Sequence, residues 1–510
     1  MSCNRSWGVE SCTMFRDASP GLLLVLLSVL GLSHGCLPEP PSAYRFTGIV
    51  CRLTYPAAVV LNEKTTKVIE AAFQHTRYPS VKGEKSILFI GKVIYGLDNL
   101  EIHNLSIGQS VFELHPGEGI ALKIHNVSAV FKGTIQYGYG SWIVNLAHSI
   151  DFEIESQIDL GINPKLYCGA SKVAADTSDC YLNFHKLHLH LQGDREPNWL
   201  KKLFTDFITF TVKLVVKGQI CKEINKVANI LADFIQDTAK EYLRIGGISV
   251  DIGITTVPVI TANYIESYHK GLMSYNNTVS FISDSSFHPS HLTENRMLYF
   301  WVSDQVFNPM LTAAHQDGML AINISGPELT DLFKKNLSSD MPVFIRKCLL
   351  ESTSPTLRVW SSRVPSLNTS TLGTRVRAEA SGELDCGDGG TLFFKTNVVV
   401  DVTASYAEKK LFLHGNRSQV VVLHAELPSQ NVLLSDEQLE FIMEAIKEIG
   451  IPKGLSVLEV ELTKVLDKQG TYLFDIFNPE VLPQDGFVII QMDFGFPHHL
   501  LVEFLKKTLQ

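Results

Sequence analysis

From Ile150 to Ile162 apolar and polar positions alternate, with Ile150, Phe152, Ile154, Ser156, Ile158, Leu160 and Ile162 on one side and Asp151, Glu153, Glu155, Gln157 and Asp159 on the other. Successive side chains of a strand point to opposite faces, so the run predicts one long amphipathic β-strand. At ~3.3 Å per residue it reaches roughly 43 Å, about twice a usual strand, which predicts a large curved sheet with one apolar face. Leu392, Phe394, Thr396, Val398, Val400, Val402 and Ala404 repeat the pattern in the C-terminal half.

Helical periods lie between such strands. Ala57 to His75 places Val60, Leu61, Val68, Ile69, Ala72 and Phe73 at helical spacing, and Trp199 to Val216 and Lys222 to Tyr242 predict two more helices. Another starts near Ser435, where Asp436-Glu437-Gln438 forms a capping-box signal ahead of Leu439, Ile442 and Ile446. The Cys386-Gly-Asp-Gly-Gly run predicts a tight turn. Long antiparallel strands with a few long helices in each half make the fold class α+β.

Composition adds the compartment. The chain has 510 residues, 45% hydrophobic and 19% charged, enough for two to four globular domains. Leu22 to Leu32 is a largely apolar run after Arg16 and before Ser33-His34-Gly35, too short to span a bilayer. Residues 1–35 are therefore expected to be a signal peptide, with no transmembrane segment in the mature chain and a secreted, extracellular location. Seven of the nine cysteines remain after its removal, so at least one thiol is free or pairs elsewhere. Sequons at Asn104, Asn126, Asn276, Asn323, Asn336, Asn368 and Asn416 fit a glycoprotein. The net charge of −9 argues against nucleic acid as a partner.

The strong hydrolase, nucleotide and zinc-protease motifs are absent from the sequence. His185, His188 and His190 are the best metal candidates, but they lack a cysteine or carboxylate at ligand spacing, which favours a polar strand face and no metal. After Phe496-Pro497 a terminal helix carries Leu501, Val502, Phe504, Leu505 and Leu509 on one side, with His499, Glu503, Lys506 and Lys507 opposite. Such a stripe either docks on the core or closes an apolar groove.

Several runs resemble a known family: Gly48 to Arg52 (GIVCR), Val93 to Leu97 (VIYGL), Val130 to Thr134 (VFKGT), Ser149 to Ile154 (SIDFEI), Cys180 to Leu182 (CYL), Gly218 to Asn225 (GQICKEIN), Arg296 to Trp301 (RMLYFW) and Gln491 to Pro497 (QMDFGFP). They are similar to the lipid transfer / lipopolysaccharide-binding protein superfamily over nearly the whole mature chain, most weakly between residues 325 and 390. The resemblance implies an elongated boomerang of two similar barrels, each a twisted antiparallel sheet around a long helix, joined by a central sheet and threaded by an apolar tunnel. Residues 36–295 and 296–483 would each supply one barrel and part of that sheet, and 484–510 the final strand and the C-terminal amphipathic helix.

The same resemblance implies a disulfide between Cys180 and Cys221, leaving Cys36, Cys51, Cys168, Cys348 and Cys386 outside it. It implies bound lipids (cholesteryl ester, triglyceride and phospholipid) and no cofactor. Cys51 and Leu53 match apolar wall positions, and Gln236, Ser267 and His269 match polar positions near the lipid ester or headgroup. Leu500, Leu501, Val502, Phe504 and Leu505 would shield the tunnel opening. Thr238 stands where the family has an arginine, and His498 replaces an acidic residue at the helix start, where a carboxylate favours the helix dipole. The expected activity is non-enzymatic transfer of neutral lipids by a monomer among high-density, low-density and very-low-density lipoprotein particles. A phospholipid carrier or endotoxin binder of the same superfamily is the alternative. A secreted esterase is a further one, and it requires an activated serine or cysteine.

Overall fold

The computed structural model describes residues 36, 44–73, 78–87, 91–140, 146–192, 198–242, 244, 246–287, 295–336, 341–351, 354–387, 390–407, 410–427, 432–466 and 475–495. The expected signal peptide and terminal helix, with Leu500, Leu501, Val502, Phe504 and Leu505, lie outside the described residues.

In the N-terminal half the antiparallel strands Val81–Ile87, Gly91–Ser106, Gly119–Gly140, Leu146–Ile162 and Cys180–Leu191 are hydrogen-bonded in that order, with Gln109–His115 on the margin of the third. The alternation read from sequence is the built one. Ile150, Phe152, Ile154, Ile158, Leu160 and Ile162 are all less than 9% exposed, while Asp151, Glu155 and Gln157 face solvent. At ~1.5–3 kcal/mol per buried side chain, these six contribute roughly 10 kcal/mol or more of gross driving force. Ser156 joins the buried face because its Oγ donates to the Ala129 carbonyl at 3.0 Å.

Helices α1 (Tyr55–Phe73) and α2 (Asn198–Tyr242) belong to this half. Ile208, Val212 and Val216, one stripe of α2, fill the concave side of the sheet against Phe131, Phe152 and Ile154. Here the structure corrects the sequence reading, since the two helices expected at Trp199–Val216 and Lys222–Tyr242 are one helix of 45 residues, about 68 Å long. Gly218 between them weakens a helix by only ~1 kcal/mol relative to alanine, less than the packing on either side supplies.

The C-terminal half repeats the plan. Ala321–Ser325, Thr356–Ser361, Gly373–Asp385, Thr391–Ala407, Lys410–Leu427 and Val432–Leu433 form a second antiparallel sheet, with Ser366–Ser370 beside Gly373–Asp385. Helices α3 (Asp304–Gln316), α4 (Gly326–Asn336), α5 (Val343–Glu351), α6 (Asp436–Ala445) and α7 (Ile451–Leu466) follow in chain order. The capping box at Ser435 is present, with Ser435 and Gln438 exchanging side-chain and backbone bonds. A π-helical turn, Ile446–Gly450, links α6 to α7 just before Pro452, whose missing N–H cannot continue an α-helical ladder. In the predicted turn Gly387 and Gly390 have φ of 63° and 91°, and the Cys386 N–H donates to Gly390 O. A shared device marks the two halves. Phe152 lies over its cross-strand partner Gly133, and Phe394 over its partner Gly382, so that any Cβ on either glycine meets the ring.

A third sheet joins the halves. Its order is Val259–Ile260, Tyr264–His269, Ile49–Thr54, Leu298–Ser303, Phe487–Gly495 and Asp475–Gln484, and the seam runs between Ile49–Thr54 and Leu298–Ser303. The α+β class and the central sheet are as expected. The two large sheets are not closed barrels, because among the described residues their end strands do not pair with each other. Curvature comes instead from β-bulges. Asn99, Asn104 and Asn126 adopt φ of 49–56° at or beside register shifts in the N-terminal sheet, a conformation asparagine tolerates better than other residues with a Cβ.

Candidate functional site

The central sheet has two unlike faces. On one, Val50, Tyr268, Tyr299, Trp301, Phe487 and Ile489 form a sealed cluster, each at most 4% exposed. The other carries Cys51, Leu53, Ile265, Leu298, Phe300, Ile490 and Met492 in register across neighbouring strands, all only half-buried. This second face is a run of apolar side chains without full protein cover among the described residues, and Ser267 and His269 share it.

Those two polar residues satisfy one another. His269 Nδ1 lies 2.7 Å from the Ile252 carbonyl, which can only accept, so Nδ1 carries the proton. Nε2 is then the acceptor for the Ser267 hydroxyl at 2.8 Å. Desolvation holds the His269 pKa below the ordinary imidazole value, with the bond to Ile252 opposing weakly, so the ring is neutral at pH 7. Cys51 lies opposite Ser267 in the ladder, and burial pushes its thiol pKa up to about 12. The polar groups in this apolar face are thus uncharged and bonded to protein.

A serine bonded to a histidine invites comparison with an acyl-transfer dyad. The third partner here is a neutral carbonyl, which does not stabilise an imidazolium as a carboxylate does. Ser267 also sits in mid-strand opposite Cys51, in a ladder that occupies the backbone amides instead of aiming them at an oxyanion. The arrangement suits holding or passing an apolar molecule better than attacking one.

Gln236 lies on α2, where its amide donates to Val173 O at 3.2 Å and accepts from Val173 N at 2.9 Å. Its side-chain hydrogen bonds go to Val173 and to the Ala232 carbonyl of its own helix, not to Ser267 or His269. Thr238 occupies the same helix two residues on. The terminal residues expected to close an opening are outside the described residues. Two concavities border the large sheets. One is an apolar cavity of about 40 Å³ lined by Ile102, Ile124, Phe131, Leu160, Ile220 and Ile224, too small as it stands for a sterol. The other, of about 400 Å³, lies between the C-terminal sheet and α7, with Val400, Leu413, Ile451 and Leu455 below a rim of Lys447 and Glu459.

The structure contains the Cys180–Cys221 disulfide, tying the margin of the N-terminal sheet to α2. It adds Cys36–Cys168 and Cys348–Cys386, which leaves Cys51 as the free thiol among the described residues. Sequence reasoning offered no spacing that selects these two pairs. His188 and His190 lie opposite Glu155 and Glu153 on a polar strand face, and His185 Nε2 donates to Asp159 Oδ2 at 2.6 Å. Among the described residues no group of three His, Cys, Asp or Glu is placed to hold a metal. Asn104, Asn126, Asn276, Asn323, Asn368 and Asn416 are exposed, and Asn336 ends α4.

Residues 60–234 match the model of the LBP / BPI / CETP family, N-terminal domain, and residues 247–377 that of its C-terminal domain. The chain is 42% identical to the cholesteryl ester transfer protein of Gallus gallus over 501 residues, covering 96% of this chain and 98% of that one. It is 43% identical to the cholesteryl ester transfer protein of Homo sapiens over 492 residues, covering 95% and 99%. Similarity to the lipopolysaccharide-binding protein of Homo sapiens is weaker, 25% over 312 residues, or 60% of this chain and 62% of that one. No helix among the described residues is long and apolar enough to cross a membrane. With both domain models matched in order and relatives aligned nearly end to end, the chain belongs to the LBP / BPI / CETP family.

Proposed function

We propose that this chain is a secreted plasma glycoprotein that transfers cholesteryl esters and triglycerides among high-density, low-density and very-low-density lipoproteins without making or breaking a bond. The observation that carries the reading is 42–43% identity, over about 95% of the chain, to proteins named for cholesteryl ester transfer. Lipopolysaccharide-binding relatives align over less of the chain and at lower identity, which disfavours the endotoxin-binding alternative.

The half-buried face around Cys51 and Leu53 supports the reading physically. A cholesteryl ester exposes on the order of forty carbons, so at ~0.8 kcal/mol per CH₂ its escape into water costs roughly 30 kcal/mol. An apolar path between two lipid surfaces replaces that barrier with the opening of a closure. Ser267 and His269, already bonded to protein, border the path without adding a charge to it. Cys51 and Leu53 form part of its wall, a phospholipid closes each opening, and Leu500, Leu501, Val502, Phe504 and Leu505 shield the N-terminal one.

Mass spectrometry of lipid extracted from the purified protein tests the proposal. Cholesteryl ester and triglyceride with a minor phospholipid component support it, and phospholipid alone refutes it in favour of a phospholipid carrier. Deleting Leu500 to Gln510 is expected to abolish neutral-lipid transfer while secretion and folding persist. Normal transfer by the truncated chain would remove the proposed closure.

A further inference from the structure

The hairpin Lys165–Gly169/Lys172–Asp176 is only two strands wide, and its second strand would leave one margin of backbone groups unpaired. Helix α2 fills that margin with side chains. Asn225 accepts from Thr177 N and Oγ1. Asn229 accepts from Ala175 N at 3.1 Å and donates to Ala175 O at 3.0 Å. Gln236 makes the same pair of bonds with Val173. From Asn225 to Asn229 four helical residues rise about 6 Å, close to the ~6.6 Å of two strand residues, and Gln236, seven residues and about 10.5 Å further on, reaches back to Val173. The helix thereby stands in for a third strand.

The far end of the hairpin reaches the lipid face. Its turn places Ala170 and Ser171 at φ of 52° and 65°, and Ser171 O accepts from Ile254 N at 2.8 Å. Ile252, two residues earlier, supplies the carbonyl that fixes the His269 tautomer. Lys270 N donates to Gly253 O, closing the segment against the strand that carries Ser267 and His269. The Cys36–Cys168 disulfide secures the first strand of the same hairpin.

We propose that Asn225, Asn229 and Gln236 are positioning residues of the lipid site: they clamp the hairpin on α2, and the hairpin holds segment 252–254 in the place that keeps His269 bonded to Ser267. Gln236 then acts on the site through Val173 and Ser171. The proposal rests on the lipid-transfer reading for its functional consequence but not for its structural one.

The full-length secreted protein with Asn229→Leu or Gln236→Leu is the test, because the Asn229 side chain makes the same two backbone bonds to the hairpin, beside one to the Asn225 carbonyl of its own helix, and serves as the control for direct lipid contact at Gln236. Hydrogen exchange at Val173, Ala175 and residues 252–254 is expected to speed up about tenfold in both variants, and the imidazole ¹⁵N signals of His269 to lose the single Nδ1–H tautomer. Transfer of labelled cholesteryl ester is expected to fall by a similar factor in the two. Loss of transfer in Gln236→Leu alone, with exchange and tautomer unchanged, overturns the proposal in favour of direct contact. Accelerated exchange with an intact His269 tautomer overturns it as well, leaving the ladder a purely structural clamp. Phospholipid as the sole bound lipid in the unmodified protein would instead count against the transfer reading and leave the exchange result standing.

Discussion

Arg52 and Glu266 face one another across the sealed side of the central sheet, with Arg52 Nε donating to Glu266 Oε2 at 2.7 Å and both side chains about 5% exposed. The guanidinium is stacked 3.8 Å from the Tyr264 ring, and the Tyr268 hydroxyl donates to the other carboxylate oxygen at 2.6 Å. Removing one partner leaves a buried charge uncompensated, which costs about 3–5 kcal/mol. Arg52→Met is therefore expected to lower stability by about that amount in urea unfolding. The Arg52→Met/Glu266→Gln double variant should recover part of the loss. A single-variant loss below ~1 kcal/mol would show that the pair does not stabilise the sheet.

This pair also shows how far the sequence could be read. Within the strand Leu146–Ile162 the stretch Ile150 to Ile162 is legible in sequence because one face is buried and the other wet, so each residue reports its side. Ile49–Thr54 is sealed on one face and half-buried on the other, so Arg52 interrupts the pattern and nothing local names Glu266, 214 positions away, as its partner. Cys51 and Leu53 were placed by family resemblance, and the ladder of Asn225, Asn229 and Gln236 reads in sequence as ordinary polar helix surface. The apolar periodicity of Trp199–Val216 and of Lys222–Tyr242 does not say that one helix runs through the residues between, and packing on both sides makes it continuous.

Burial raises the Cys51 pKa to about 12, so at pH 8 thiolate is a minute fraction and alkylation is slow. Iodoacetamide at pH 8 should leave Cys51 unmodified in the native protein and label it rapidly in denaturant, with peptide mass spectrometry as the readout. Fast labelling of the native chain would mean that the apolar face is open to water around the thiol.

His269 sets a pH dependence whose sign follows from its environment. Its folded pKa is depressed chiefly by desolvation, so the unfolded chain, with an ordinary value of ~6.5, binds a proton at a pH where the folded chain does not. Its contribution to stability is full above about pH 6.5 and is lost progressively as pH falls from there toward the folded pKa. Asp159 behaves as a carboxylate held low, first by the bond from His185, and its contribution is lost only at more acidic pH. His269→Gln should flatten the stability profile between pH 6.5 and 5 relative to the unmodified protein. An unchanged slope in that window would place the responsible titration elsewhere.

Two glycines give opposite expectations for one substitution. A Cβ on Gly133 would sit 2.7 Å from Phe152 Cζ, a contact that real Cβ atoms essentially never show, and Phe152 is 2% exposed within the N-terminal core. Gly133→Ala must displace that ring and is expected to cost about 1–3 kcal/mol. Gly218 has nothing within 4 Å of the same added carbon and lies in the interior of α2. Gly218→Ala removes conformational freedom from the unfolded chain without a clash, so it is expected to stabilise by about 0.5–1 kcal/mol. Thermal unfolding of the two variants side by side should move the midpoint in opposite directions. If Gly218→Ala lowers it, the helix bends or opens at Gly218 and the continuous 45-residue helix is not its resting form.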